Sequence, residues 1–159
     1  MKMNALLLGT FWIQGVFLLL GLPPTIQAQH PISIFSPDRQ MELVIENGAA
    51  LTYTVKRHGK LVLAPSALGF TLQHPKADLT HFTVTQVDTH SVQDTWKPLF
   101  GEKEAILNQY RACTVQLETK TPTPYRLQIA FRLFNDGLGF RYIFPDQEGF
   151  RHFIVADER

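Results

Sequence analysis

The sequence predicts an all-β protein, an antiparallel β-sandwich, and three observations carry that prediction. Beyond residue 30 the apolar residues recur with a period of two. Turn-forming residues separate the runs. No apolar stripe with a 3.6-residue period is long enough to sustain a helix, although residues 102–110 would allow one or two turns.

The runs come in order. Residues 41–46 (MELVIE) are mostly apolar with acids at intervals, and Asn47-Gly48 behind them is a strong hairpin signal. Residues 51–56 alternate cleanly, and His58-Gly59-Lys60 turns the chain into Leu61-Val62-Leu63. These three runs read as an antiparallel meander. Residues 68–73 alternate until Pro75, and residues 82–85 and 113–118 alternate again. Residues 125–133 form the longest run, followed by a Gly-rich turn at 135–139, a returning run at 140–144 and a short one at 153–155. About nine short strands with turns between them imply a sandwich in which each strand buries one face and wets the other. Leu127, Ile129, Phe131 and Leu133 would then face the core, and Arg126, Gln128 and Arg132 the water. A chain of this size hides roughly two-thirds of its unfolded surface on folding, enough for such a body.

The first residues read as an address. Lys2 supplies a positive start, residues 5–22 are apolar but for Thr10 and Gln14, and Pro23-Pro24 stops the run. Residues 26–28 end on Ala28, the small residue that a signal peptidase prefers, so cleavage is expected after Ala28. An uncleaved anchor is the rival reading, because 18 residues approach the length of a membrane span. Cleavage takes 28 of the 159 residues and leaves 131, with 14 bases against 14 acids. The expected location is periplasmic or secreted, with no membrane association once the signal is gone. A neutral chain has no electrostatic grip on nucleic acid. The single cysteine, Cys113, excludes an internal disulfide and a cysteine-based zinc site. It stands among alternating apolar residues with no His or Lys close before it, and reads as a small buried hydrophobe.

One interval breaks the alternation. Residues 86–112 hold Asp88, Asp94, Trp96, Phe100, Glu102 and Glu104 and read as a long, irregular, functional loop. Other chemistry is scarce. There is no G-x-S-x-G elbow, and the six histidines (30, 58, 74, 81, 90 and 152) form no pair at metal-ligand spacing. Gly137 and Gly139 lie between two strands and serve a hairpin rather than a phosphate. The carboxylates are the stronger candidates, since glycoside hydrolysis needs two of them across a sugar and calcium needs several oxygens. They cluster at Asp94/Glu102/Glu104 near Trp96, and at Asp157-Glu158. The residues alone leave two readings open. In one, Trp96 stacks on a sugar; in the other, Trp96 and Phe100 cap the core beneath the loop and the acids are merely solvated.

Several strings taken together resemble one family. "SPD" lies at residues 36–38, "LTYTV" opens residues 51–62, and "PSALGF" spans 65–70. "DTWKPLFGE" spans 94–102, "FRLFNDGLGFRYIFP" spans 131–145, and "ADER" occupies 156–159. In this order they are similar to the N-terminal domain of glycoside hydrolase family 97, secreted α-glucosidases and α-galactosidases, over about residues 31–159. The resemblance implies a β-sandwich of the super-sandwich type, packed against a (β/α)8 catalytic barrel that acts on an α-linked oligosaccharide. It also implies a calcium ion held by barrel glutamates and one glutamate of the N-terminal domain. That residue maps to Glu158, with Asp157 as the neighbouring alternative. Trp96 and Glu102 are the expected substrate-contacting residues.

A (β/α)8 barrel takes about 250 residues, so none fits here, and the chain alone is expected to hydrolyse nothing. Three readings result. The chain is the sandwich module of a family 97 α-glycosidase, or a free-standing carbohydrate-binding or scaffolding sandwich with Trp96, Phe100 and Tyr110 as a stacking platform. The third, a small autonomous hydrolase using Asp94 and Glu102, suffers from having both acids in one loop.

Overall fold

The structure is a computed structural model that describes residues 30–102 and 104–159. The expected signal segment 1–28 lies outside the described residues. Within them the chain forms eleven strands and no helix: β1 (Ile32–Phe35), β2 (Met41–Asn47), β3 (Leu51–Arg57), β4 (Lys60–Leu68), β5 (Phe70–His74), β6 (Ala77–Leu79), β7 (Phe82–Trp96), β8 (Ile106–Thr119), β9 (Arg126–Leu133), β10 (Leu138–Ile143) and β11 (Ile154–Glu158).

The strands make three antiparallel sheets, ordered β1-β2-β3-β4, β10-β9-β8-β7 and β11-β5-β6. The first two are the layers of the sandwich. Alternation decides which side chains meet between them. From the first layer come Ile34, Leu43, Ile45, Leu51 and Val55, and from the second Cys113, Val115, Leu117, Leu127, Ile129, Phe131 and Leu133, all buried in one cluster. In β9 the expected division holds: the four core residues are buried, Arg126 and Arg132 are exposed, and Gln128 is half-buried. The Cys113 thiol is also in the core as expected, and burial, helped by the negative charge of Asp88, pushes its pKa up to about 11.

The third sheet closes one end, with Phe70, Leu72 and Leu79 against the same core. Its link to the first layer is Gly69, between β4 and β5, at φ 134°. A Cβ there would run into the Leu79 carbonyl oxygen, so only glycine lets the chain leave one sheet and enter the next. A row of rings seals the side of the sandwich nearest β10. It runs from Tyr53 through Phe140 (5.4 Å), Tyr142 (5.9 Å), Phe70 (5.1 Å) and Phe144 (5.4 Å) to Phe153 (4.5 Å). Two turns are tied across the fold as well. The Asp38 N–H donates to Asn135 Oδ1 at 3.0 Å, joining the turn after β1 to the turn after β9. Asp38 in turn accepts from Ser36 Oγ at 2.6 Å and from the Gln40 N–H at 3.0 Å, which hold its carboxyl below the usual range. The "SPD" and "FNDG" strings thus meet at one structural joint.

The structure corrects one expectation about the fold. Residues 86–112 are not an irregular loop. β7 runs to Trp96, β8 starts at Ile106, and the two pair from Phe82↔Thr119 to Trp96↔Ile106. Most of β7 beyond Phe82 is exposed, and a register shift between Val84 and Gln86 sets the half-buried Val84 and Val87 three residues apart, so no period of two is imposed. The signal that remains is β-propensity: Val84, Val87, Val92, Thr83, Thr85, Thr89 and Thr95 are all β-branched.

Candidate functional site

The candidate residues fall at two places. The first is the tip of the β7–β8 hairpin. β7 carries Asp94 opposite Asn108 and Trp96 opposite Ile106, and the connection between the strands holds Leu99, Phe100 and Glu102. Trp96 is 52% exposed, Leu99 97% and Phe100 88%, which overturns the reading in which these rings cap the core. Glu102 is exposed beside them, and Lys97 Nζ lies 3.9 Å from Glu104 Oε1 as a solvent-washed pair that contributes little to stability. Tyr110 does not join a stacking platform. It is buried 5.0 Å from the Phe134 ring, with the Arg132 guanidinium 5.1 Å over its face. Asp94 and Glu102 share one hairpin, and the pairing gives no opposing element across which they could grip a sugar.

The second place is the end of β11. Glu158 pairs with Phe70 and Asp157 with Thr71, after two irregularities of register between Ile154 and Asp157. Both acids are exposed. The strand end is fastened by one glycine: the Arg159 N–H donates to the Gly69 carbonyl at 3.0 Å, and the Gly69 N–H donates to Tyr142 Oη at 3.0 Å. The Phe70 ring meets the Tyr142 ring edge-on at 5.1 Å. Burial raises the pKa of the Tyr142 phenol above its ordinary value; the Gly69 N–H counters that, and the negative charge of Glu158 adds to it.

Among the described residues, no group of three or more His, Cys, Asp or Glu gathers to hold a metal. Glu158 presents one exposed carboxylate, whereas calcium takes six to eight oxygens, so the described residues at this strand end do not make a calcium site by themselves. Tyr142 and Trp96 lie on β10 and β7, opposite edges of one four-stranded sheet, so the Glu158 end and the hairpin tip are separate features of the surface. An open cleft of about 590 Å³ near β5 is lined by His74, Asp146, Glu148, Arg151 and His152. The sequence reading passed over it, and over Gly69 and Tyr142. An isolated glycine inside an alternating run, Leu68-Gly69-Phe70, was the available sign of a close backbone approach.

Comparison with known proteins decides the family. Residues 34–159 match the family described as Glycosyl-hydrolase 97 N-terminal. The chain belongs to that family. A retaining α-galactosidase of Bacteroides thetaiotaomicron is 26% identical over 137 residues, covering 85% of this chain and 20% of the relative. A glycoside hydrolase family 97 enzyme from Pseudoalteromonas sp. strain K8 has been solved in complex with panose and in complex with acarbose. Both structures superpose with a TM-score of 0.74 at 28% identity, over 80% of this chain and 19% of that one. A β-arabinopyranosidase structure, 21% identical with a TM-score of 0.72, shares the fold. The family 97 domain described here thus spans about a fifth of the length of these relatives.

Proposed function

We propose that the chain is the non-catalytic N-terminal β-sandwich module of an α-glycosidase. It packs against a (β/α)8 catalytic domain, contributes Glu158 to a calcium site shared with that domain, and walls part of the sugar site with the hairpin tip at Trp96 and Glu102. The observation that carries this reading is the family match over residues 34–159 in a chain one-fifth as long as its glycosidase relatives. The exposure of Glu158 and of the hairpin tip supports it, because side chains meant for another domain stay uncovered until that domain is present. The expected substrate is an α-linked oligosaccharide, and the expected compartment is the periplasm or the exterior.

The test has two parts. The chain alone should release no nitrophenol from aryl α-glucosides or α-galactosides. With its catalytic domain, Glu158→Gln should weaken calcium binding and Trp96→Ala should raise KM. Turnover by the isolated chain would sink the reading. The exposed rings of Trp96 and Phe100 favour a second reading, a free-standing carbohydrate-binding sandwich. Glycan-array binding by the isolated chain, lost in Trp96→Ala, would select it.

A further inference from the structure

Each sheet has two edge strands, and all but one are guarded against the addition of a further strand. β1 has four residues and β6 three. β4 holds Lys60 and Pro65, β10 has six residues and carries Arg141, and β11 is irregular in register. β7 differs. From Gln86 to Trp96 it pairs with β8 without a break and contains no Lys, Arg, Pro or Gly. Among the described residues no strand lies on its other side, and most of its side chains are exposed. Thr89 stands opposite the buried Cys113, so alternation puts Asp88, His90, Val92, Asp94 and Trp96 on the face away from the core. The Asp88 carboxylate is already held by the Gln86 and Gln116 amides. Among the described residues, His90 and Asp94 have no hydrogen bond or ion pair.

We propose that the outer half of β7 is a self-association edge: two copies of this chain join through it, antiparallel about a twofold axis at Val92, into one sheet that runs through both. In such a pairing the position of the axis fixes every partner. With the axis at Val92, His90 of each copy lies opposite Asp94 of the other, so both unpartnered imidazoles gain a carboxylate acceptor. Ser91 then lies opposite Gln93, Thr89 opposite Thr95, and Asp88 opposite Trp96. The neighbouring registers lack this match. An axis at Ser91 sets Asp88 against Asp94, and an axis at His90 sets imidazole against imidazole. An axis at Thr89 gives His90 only the Asp88 carboxylate, which the two amides already occupy. The side chains therefore select one register. The contact uses the edge of the strand, so the face that carries Trp96 stays open, and the inference does not depend on the role given to that residue above.

Sedimentation velocity of the expected mature chain, residues 29–159, over a range of concentrations tests it. The strip from Asp88 to Trp96 is a small interface, so the dimer should be weak and its share should grow with concentration. Asp94→Lys sets an ammonium against His90, and His90→Asp sets two carboxylates together; each should weaken self-association about tenfold. Combined, the two substitutions place a lysine opposite an aspartate and should restore the dimer. Both positions face water, so the melting temperature should change little in either variant. If a swap unfolds the hairpin, Val92→Lys puts two ammoniums at the axis and should weaken the dimer in the same way. A monomer at every concentration overturns the proposal, as does a dimer that Asp94→Lys and Val92→Lys leave intact. A double variant that associates no better than the single ones also overturns it, because the register at Val92 is then wrong.

Discussion

β9 and the outer half of β7 belong to the same sheet and differ in what surrounds them. Along β9 every second residue is buried; along β7, beyond Phe82, none is. Backbone pairing runs the length of both, broken in β7 by one register shift between Val84 and Gln86. Hydrogen-bonded pairing and side-chain alternation are therefore separate properties. Pairing needs only extended residues and a partner strand, whereas alternation needs a core on one face and water on the other. The body of the molecule has both, and the arm has only the first.

Mutations should part along that line. Phe131 is fully buried between the layers, so Phe131→Ala should cost about 3–5 kcal/mol of unfolding free energy in urea titrations. A body that tolerated it would not be packed as described. The next effect depends on pH. An unfolded cysteine thiol ionises near 9 and the folded Cys113 thiol near 11, so deprotonation favours the unfolded chain between those values. Stability should be full below about pH 9 and fall as pH rises toward 11. Tyr142, also raised, adds a slope of the same sign. Urea midpoints measured across this window should flatten in part in Cys113→Ala. At the joint between the turns, Asn135→Ala removes the acceptor of the Asp38 N–H and should cost about 1 kcal/mol. On the arm, Phe100→Ser should change the melting free energy by less than about 0.5 kcal/mol. A larger loss there would mean that the tip folds back onto the body.

The difference between these regions also explains what could be read from the sequence. The core residues of β9, the strands β2 and β3 and the burial of Cys113 were legible, because each lies where one face is dry, whereas β4, buried only at Leu68, was marked by the turn at residues 58–60. The arm was not, because threonine, glutamine and histidine on two wet faces leave no periodic mark. The acids and rings of the tip were visible as composition, but their exposure was not, since an apolar side chain in a loop usually covers something. At the other place Glu158 could be singled out only by family resemblance. The hydrogen bonds at that strand end join residues 69, 142 and 159, and sequence spacing carries no trace of such a meeting.

The row of rings from Tyr53 to Phe153 has a mechanical consequence. Among the described residues the two layers are separate sheets with no ladder between them. The row couples all three sheets: Tyr53 of the first layer meets Phe140 of the second, and Tyr142 of the second meets Phe70 of the third sheet. Shifting any one of these sheets therefore disturbs a ring contact with a neighbouring sheet.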